Sequence, residues 1–393
     1  LTYKIVSIIN VMPTNMKIVD VCRKVKQPTG YTASIPVSFP PRELFVVPQK
    51  VLLKAVEAER LIGKLDGITL TLPDINFFLR MFSYKDATSS AQIEGTQATM
   101  ADALELSANI ENNQTDASDI IFYIKALEYG IKRLQEFPIS LRFIREIHQK
   151  LMDGARATHF ADPGEFRKSQ NWIGGTNLNT ARFIPVPHTE MRTSLNDLEK
   201  FIHDDESTLP LIAIAYAHAQ FETIHPFLDG NGRVGRLLIM FLLMKKGVLE
   251  KPVLFLSSYF KKHQKTYYTK LSAYHEDGDV FGWVDFFLDG VIETAQAAIE
   301  TSSEIRKIRD KDMGKIQGLS KRESDSGVKV LNYLFENPIV TTKSIMKATG
   351  FTRAGAQGVI DRFVGLNILK MEEKESNYDI KYVYDEYFMT FVR

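Results

Sequence analysis

Apolar residues recur with a helical period along most of the chain. Before position 45 the pattern is irregular, with short strand-like runs and clustered prolines. From Pro48 onward the spacing of three to four residues is typical of amphipathic helices. The predicted helices begin near 48 and continue at 75–81, 85–93, 100–110, 116–134, 139–152, 190–203, 209–224, 232–245, 259–275 and 280–300.

Residues 162–188 interrupt the helical pattern. Glycines and prolines surround two short extended runs at 171–173 and 182–186, which predicts a small β-hairpin. The main domain is therefore expected to be all-α apart from this one β-hairpin.

A charged segment at 298–324, expected to be a solvated helix or linker, precedes a compact C-terminal unit. Three helices are predicted there, at 326–336, from Thr341 or Thr342 to Thr349, and from Thr352 to about 364. Two extended runs follow, and this order is typical of a winged helix-turn-helix. The predicted organisation is an N-terminal region at 1–115, a helical core at 116–295, a charged linker helix at 296–324 and a winged helix at 325–393.

Composition changes this picture little. Lys plus Arg (49) and Asp plus Glu (48) leave a net charge of +1, so overall charge gives no attraction to nucleic acid or to an anionic membrane. The single cysteine, Cys22, excludes a disulfide framework and favours a reducing compartment. The first residues lack the pattern of a signal peptide, and no window is apolar enough to span a bilayer. We therefore expect a cytoplasmic protein without a membrane partner.

The candidate chemistry is concentrated at 225–236, which reads His-Pro-Phe-Leu-Asp-Gly-Asn-Gly-Arg-Val-Gly-Arg between two apolar helices. Pro226 ends the first helix. The Gly-Asn-Gly turn at 230–232 opens the second with free N–H groups, which favour an anion together with the helix dipole. Arg233 and Arg236 are three residues apart and can face the same phosphate.

Two further side chains complete this cluster. Asp229 precedes the turn, where a carboxylate can bind Mg²⁺ against the same phosphates. His225 has an ordinary pKa suited to accepting a proton near neutral pH. Phosphate, metal and base within twelve residues indicate phosphoryl or nucleotidyl transfer.

The stretch resembles the Fic family signature, His-Pro-Phe-x-Asp/Glu-Gly-Asn-Gly-Arg-x-x-Arg, at every defined position. The resemblance implies a Fic-type all-α core with a small β-hairpin flap, which transfers AMP from ATP to a Tyr, Thr or Ser hydroxyl of a target protein. It implies these roles: His225 as base, Asp229 as Mg²⁺ ligand, Gly230, Asn231 and Gly232 at the α- and β-phosphates, Arg233 at the β-phosphate and Arg236 at the γ-phosphate.

A second motif lies upstream, in Ser90-Ala-Gln-Ile-Glu94-Gly95. It resembles the family's inhibitory motif, Ser/Thr-x-x-x-Glu-Gly/Asn, in the subclass whose inhibitory helix is N-terminal. Ser90 and Glu94 are four residues apart and share a helical face. A glutamate paired with Arg236 would occupy the place of the γ-phosphate, so ATP would bind in a pose unsuited to in-line attack.

Two other segments resemble family elements. The hairpin at 171–187 is similar to the flap that aligns the target by strand addition. Residues 257–271 are similar to a helix near the adenine end, although Gln264 stands where arginine is expected. Tyr267 and Tyr268 could pack in the core or contact adenine.

Three alternatives stay open. The first is a DNA-binding regulator with a Fic-like sensor core, because 341–370 has an excess of basic residues and Gln357 could face a base edge; Asp361 and the acidic wing argue against it. The second is removal of AMP, with Glu94 positioning water. The third is transfer from another nucleotide or of phosphocholine. Homodimerisation that masks or releases the inhibitory helix is also left open.

Overall fold

The computed structural model describes residues 18–108, 116–154, 162–204, 208–371 and 380–392. The N-terminal part opens with a hairpin, where the irregular stretch was expected: β1 (Cys22–Lys26) pairs antiparallel with β2 (Thr32–Pro36). A short 3₁₀ helix (Arg42–Phe45) leads to α1 (Gln49–Thr69), α2 (Ile75–Ile93) and α3 (Met100–Ala108).

Helix α2 joins the two helices predicted at 75–81 and 85–93. The Asp74 side chain caps its first turn by accepting a hydrogen bond from the backbone N–H of Phe77 (2.5 Å). The gap expected at 82–84 is helical as well. Asp86, just after it, is buried and accepts from the hydroxyl of Tyr123 (2.7 Å), so this polar residue has a partner inside the core.

The helical core follows in sequence. Its helices are α4 (Asp116–Arg133), α5 (Leu141–Met152), α6 (Met191–Asp204), α7 (Pro210–Ile224), α8 (Asn231–Lys245), α9 (Ser257–Lys262), α10 (Gln264–Asp277) and α11 (Val280–Gln317).

Helices α7 and α8 lie at the centre, and nearly all of their side chains are buried. This position explains their continuous apolar sequence, since neither helix has a solvent face. The one buried histidine inside α7, His218, contacts the carbonyl of Gly235 (3.0 Å) and the hydroxyl of Tyr267 (3.0 Å). Its two nitrogens are used within the core.

The hairpin predicted at 171–187 is present in reduced form. One antiparallel bridge joins Ile173 and Phe183, and the rest of the described segment forms turns. We call residues 171–187 the flap.

The charged segment after 296 continues α11 without interruption to Gln317. Ile305, Ile308 and Ile316 are buried along one face, so this part is a packed amphipathic helix rather than a solvated linker. The predicted boundary at 296 therefore lies inside a continuous helix.

The C-terminal unit contains the predicted helices, capped at Thr341 and Thr352 by their own side chains. Its three-stranded sheet has the order β3-β5-β4, and the winged helix assignment stays a prediction. A last helix, α15, was not predicted. The elements are α12 (Lys321–Glu336), β3 (Ile339–Val340), α13 (Thr342–Thr349), α14 (Arg353–Gly365), β4 (Lys370–Met371), β5 (Tyr382–Val383) and α15 (Asp385–Val392).

Among the helices in the described ranges, none combines the length and apolarity that crossing a bilayer requires.

Candidate active site

His225 lies at the C-terminal end of α7, where its backbone turns into the left-handed region (φ 51°). Pro226 follows and cannot continue the helix. Burial and then the nearby Arg167 guanidinium lower the pKa of His225 to about 4, against Glu94, which acts to raise it. The imidazole is therefore neutral at physiological pH and able to accept a proton.

The loop after His225 is braced by the side chain of Asn231. Its oxygen accepts from the backbone N–H of Phe227 (2.8 Å), and its nitrogen donates to the carbonyl of Phe227 (2.8 Å). Gly230 takes a positive φ of 78° as α8 begins. These two bonds engage both the oxygen and the nitrogen of the Asn231 amide within the loop.

Arg233 links the loop to the helical core. Its guanidinium lies 3.6 Å from the Asp229 carboxylate and 4.0 Å from that of Asp119 on α4. The Asp229 carboxylate also accepts from the N–H of Gly230 (2.6 Å). This network fixes the carboxylate beside the first turn of α8.

Arg236 binds both residues of the upstream motif. Its Nε donates to Ser90 Oγ (2.8 Å), and its Nη2 donates to the Ser90 carbonyl (3.0 Å) and to Glu94 Oε1 (2.7 Å). The Arg236 side chain is 2% exposed, whereas that of Glu94 is 37% exposed. Glu94 thus reaches from the open side of the cleft to a buried cation.

The Glu94 carboxylate also lies against the start of α8. A Cβ at Gly232 would collide with Glu94 Oε1, so only glycine leaves room for this contact. The carboxylate therefore sits where the free N–H groups and the dipole of α8 favour an anion.

The pKa values of this pair reflect their mutual attraction. Burial acts to raise the pKa of Glu94, but Arg236 outweighs it and keeps the pKa below its ordinary value. Burial likewise acts to lower the pKa of Arg236, and Glu94 raises it instead. Both groups are charged at neutral pH.

Helix α10 holds the end of α2. Gln264 Nε2 donates to the carbonyl of Ile93 (3.0 Å), directly before Glu94. Lys261 on α9 contacts the side chain of Gln92. Tyr267 is buried and stacks on Phe260 with ring centroids 4.5 Å apart, which places it in the core.

Several polar residues around the site have no signal in the sequence. Nδ1 of His148 accepts from the N–H of Gly164 (2.8 Å), so its Nε2 carries the proton and donates to the carbonyl of Asp229 (3.1 Å). Its ring stacks on Phe227 with centroids 3.7 Å apart. Glu222 lies one turn before His225, and burial raises its pKa to about 8. Neither residue belongs to a recognisable sequence motif, and only the fold shows its surroundings.

A divalent cation has one suitable protein ligand here. Among the described residues, no three His, Cys, Asp or Glu side chains come together as a metal cluster. Mg²⁺ commonly binds through one or two carboxylates plus substrate phosphates. The partly exposed Asp229 carboxylate beside the start of α8 fits that mode.

Two family models match the chain on either side of this cleft. The Fic/DOC family model matches 138–243, which includes the whole loop from His225 to Arg236. The Fic/DOC family N-terminal model matches 52–132, which includes Ser90 and Glu94. The chain is therefore similar to the Fic/DOC family over both regions. One model covers the loop side of the cleft and the other covers the side that carries Glu94.

Curated relatives of this chain are named "Protein adenylyltransferase Fic". One from Drosophila persimilis is 26% identical over 68% of the chain and 49% of its own length. One from Drosophila erecta is 28% identical over 65% of the chain and 48% of its own length. The chain thus spans about half the length of the curated relatives it matches.

Solved structures show the same fold. A Fic family protein from Desulfovibrio desulfuricans G20 has a TM-score of 0.57 at 17% identity, over 86% of this chain and 96% of that one. A Fic domain-containing signaling protein from Bacteroides thetaiotaomicron has a TM-score of 0.52 at 20% identity, over 63% and 97%. The helical Fic fold expected from the sequence is confirmed.

Proposed function

We propose that this chain is a protein adenylyltransferase that transfers AMP from ATP to a Tyr, Thr or Ser hydroxyl of a target protein. One observation carries the proposal: the start of α8, two arginines and a carboxylate meet beside a neutral histidine in a single cleft. The chain matches both Fic family models, and a curated relative similar over 68% of it is named an adenylyltransferase.

The reaction needs a base at the target hydroxyl. As His225 takes the hydroxyl proton, the oxygen bonds to the α-phosphorus of ATP and the bond to the β-phosphate oxygen breaks. Pyrophosphate leaves, and the target carries AMP. A His225 pKa of about 4 keeps the imidazole in the proton-accepting form throughout the neutral range.

The phosphates would bind along the start of α8. Gly230, Asn231 and Gly232 would contribute backbone N–H groups, with Arg233 at the β-phosphate and Arg236 at the γ-phosphate. Asp229 would hold Mg²⁺, which neutralises charge on the phosphates. The hydrogen-bonded position of Asp229 supports this role.

Glu94 would inhibit the transfer by occupying Arg236. Its carboxylate is a charged acceptor 2.7 Å from the guanidinium, so the γ-phosphate must displace it or bind elsewhere. Ser90 supports the same arginine from the preceding turn of α2. ATP bound in the displaced pose would not align for in-line attack.

Transfer of label from α-³²P-ATP tests both claims. We expect wild type to label weakly, Glu94→Gly to label itself or a lysate protein strongly, and Glu94→Gly with His225→Ala to lose that gain. His188→Ala in the Glu94→Gly background is the matched control, because His188 is exposed beyond the flap.

Absence of label with all of these variants would reject transfer from ATP. The same proteins are then incubated with an AMP-modified protein. AMP release that depends on Glu94 would identify the alternative activity, removal of AMP by water. If wild type releases AMP and Glu94→Gly does not, removal of AMP replaces AMP transfer as the proposed function.

The C-terminal unit offers less support for the DNA-binding hypothesis. The amide of Gln357 accepts from Thr342 (2.8 Å) and donates to Asp361 (2.8 Å), so it is not free to read a base edge. Arg362 lies 3.4 Å from Glu323. DNA binding and homodimerisation both remain untested predictions.

A further inference from the structure

Arg167 places a buried guanidinium beneath the catalytic loop. The residue is 3% exposed, and no carboxylate within the described ranges is at ion-pair distance from it. Its donors go to backbone carbonyls instead: Nε to His225 (3.0 Å), Nη1 to Ser169 (3.1 Å), and Nη2 to Val186 (2.5 Å) and Ile224 (3.4 Å).

A buried cation without a counter-charge is costly unless its surroundings satisfy it. Burial lowers the pKa of Arg167 to about 10, so the guanidinium is still charged at neutral pH. It lies at the C-terminal end of α7, where unpaired carbonyls and the helix dipole favour a cation. The charge is thus placed where α7 ends and His225 begins.

The backbone of His225 requires such support. In the described chain, His225 and Asn367 are the non-glycine residues with positive φ, a conformation that L-residues rarely adopt. The N–H of Arg167 donates to the carbonyl of Pro226 (2.9 Å). Asn171 donates to the carbonyls of Phe227 (2.9 Å) and His225 (3.3 Å). Four consecutive carbonyls, 224 to 227, therefore receive donors from Arg167 or Asn171.

The same guanidinium also reaches the flap. Val186 belongs to the end of the flap and Asn171 to its beginning, so both ends of the flap are tied to the loop that carries His225. If the flap aligns the target, then the base and the target hydroxyl depend on one set of contacts.

We propose that Arg167 is a positioning residue for AMP transfer, whose guanidinium fixes the backbone of His225 relative to the flap and so sets the separation of base and target hydroxyl. This inference rests on the proposed function. It differs from a purely structural role because it predicts a loss of turnover without a loss of nucleotide binding.

Arg167 also acts on the His225 imidazole electrostatically. The charged groups that act on His225 are Arg167 from the loop and Glu94 from α2, while Glu222 of α7 has its pKa raised to about 8 by burial and is largely neutral. Asp229, Arg233 and Arg236 face the same cleft from the loop and α8. Removing Arg167 should therefore raise the pKa of His225.

The kinetic test uses Arg167→Lys and Arg167→Met in the Glu94→Gly background. We expect Arg167→Met to lower the rate of label transfer about 100-fold, as for a base misplaced by about 1 Å, with the KM for ATP within about two-fold. Arg167→Lys keeps the charge but not the planar fork, so it should recover part of the rate. Arg145→Met is the control, because Arg145 donates to the nearby carbonyl of Gly164 and not to His225.

An NMR titration of the histidine side chains decides the inference without activity. We assign His225 by comparison with His225→Gln and expect its pKa to rise above about 4 in Arg167→Met, while burial still keeps it below the ordinary value. If Glu94→Gly transfers nothing, the proposed function fails, and the titration still reports on Arg167. An unchanged His225 pKa or unchanged turnover in Arg167→Met overturns the inference. Should Arg167→Met fail to fold, the turnover comparison is made with Arg167→Lys. Unchanged turnover in that variant would also overturn the inference.

Discussion

The two ends of helix α2 contact their neighbours through different chemistry. At the C-terminal end, Ser90 and Glu94 make charged and polar contacts with Arg236 in an open cleft. At the N-terminal end, α2 packs on α15 through buried aromatic rings, and the Arg80 side chain donates to the carbonyl of Glu336 (2.9 Å). The rings are those of Phe77, Phe78 and Phe82 on α2 and Tyr387 and Phe391 on α15.

The aromatic end therefore anchors α2, whereas the polar end can change its partner. Aromatic packing depends on excluding water and does not respond to a nucleotide. A carboxylate paired with an arginine can be displaced by any anion that binds the same guanidinium more strongly. Helix α2 is therefore anchored at one end by aromatic packing and held at the other by an ion pair that an anion can displace. The displaceable end faces the proposed nucleotide site.

Lowering the pH should have the largest effect on stability, and it should act on the helical core rather than on the aromatic contact between α2 and α15. Burial lowers the pKa values of four core histidines, to about 4 for His148 and His225 and about 3 for His218 and His275. Because the unfolded chain takes up these protons near pH 6.5 and the native state does not, stability is lost as pH falls from about 6.5 toward 4. We expect a loss of about 1–2 kcal/mol for each histidine between pH 7 and pH 5, measured by urea unfolding.

The distribution of histidines makes the acid prediction specific. His225 begins the loop and His148 contacts it through Asp229 and Phe227, whereas the chain after position 320 contains no histidine. His225→Gln should reduce the loss at pH 5 by about 1–2 kcal/mol. Equal stability of wild type at pH 7 and pH 5 would show that these histidines are not held neutral.

Breaking the aromatic end should have the next largest effect. Phe391 is 2% exposed and contacts three rings of α2, so Phe391→Ala should cost about 3–5 kcal/mol of unfolding free energy. Met371→Ala is the control, because Met371 is 53% exposed and such surface changes stay within about 0.5 kcal/mol. A cost below about 1 kcal/mol for Phe391→Ala would mean that α15 does not anchor α2.

The comparison also marks what the sequence could predict. The proposed phosphate loop could be predicted because its donors and charges lie within twelve consecutive residues. Glu94 could be predicted from its motif, although its partner, Arg236, is 142 residues away. The helical core followed from apolar periodicity, apart from the gap expected at 82–84, where α2 is continuous.

Contacts with the backbone were the part that the sequence could not show. Arg167 binds the carbonyl of His225 across 58 residues, and every residue has a carbonyl, so no side-chain pattern marks the acceptor. The docking of α15 on α2 joins residues about 300 positions apart through ordinary core aromatics. The flap was expected as a regular hairpin, but its glycines and turns leave a single bridge.

Removing the charge that Glu94 presents to Arg236 should have the smallest effect on stability. It should affect the binding of ATP but not of ADP. Glu94→Gln keeps the shape of the side chain but removes its charge, so the Arg236 guanidinium becomes available to a γ-phosphate. One charge-assisted contact contributes about 1.5–3 kcal/mol, which corresponds to about 10- to 100-fold in affinity. We expect Glu94→Gln to bind ATP that much more tightly than wild type, and ADP with unchanged affinity, in calorimetric titrations with Mg²⁺.

The ADP titration is the internal control, because ADP lacks the phosphate that would reach Arg236. Glu293→Gln is the matched variant, since Glu293 pairs with Lys262 on an exposed surface away from the cleft. An equal gain for ATP and ADP would place the Glu94 carboxylate against the β-phosphate instead, and no gain for either would mean that Arg236 does not bind the nucleotide. In both cases the exchange between a carboxylate of α2 and a terminal phosphate would be wrong, whereas the aromatic anchor at the other end would be unaffected.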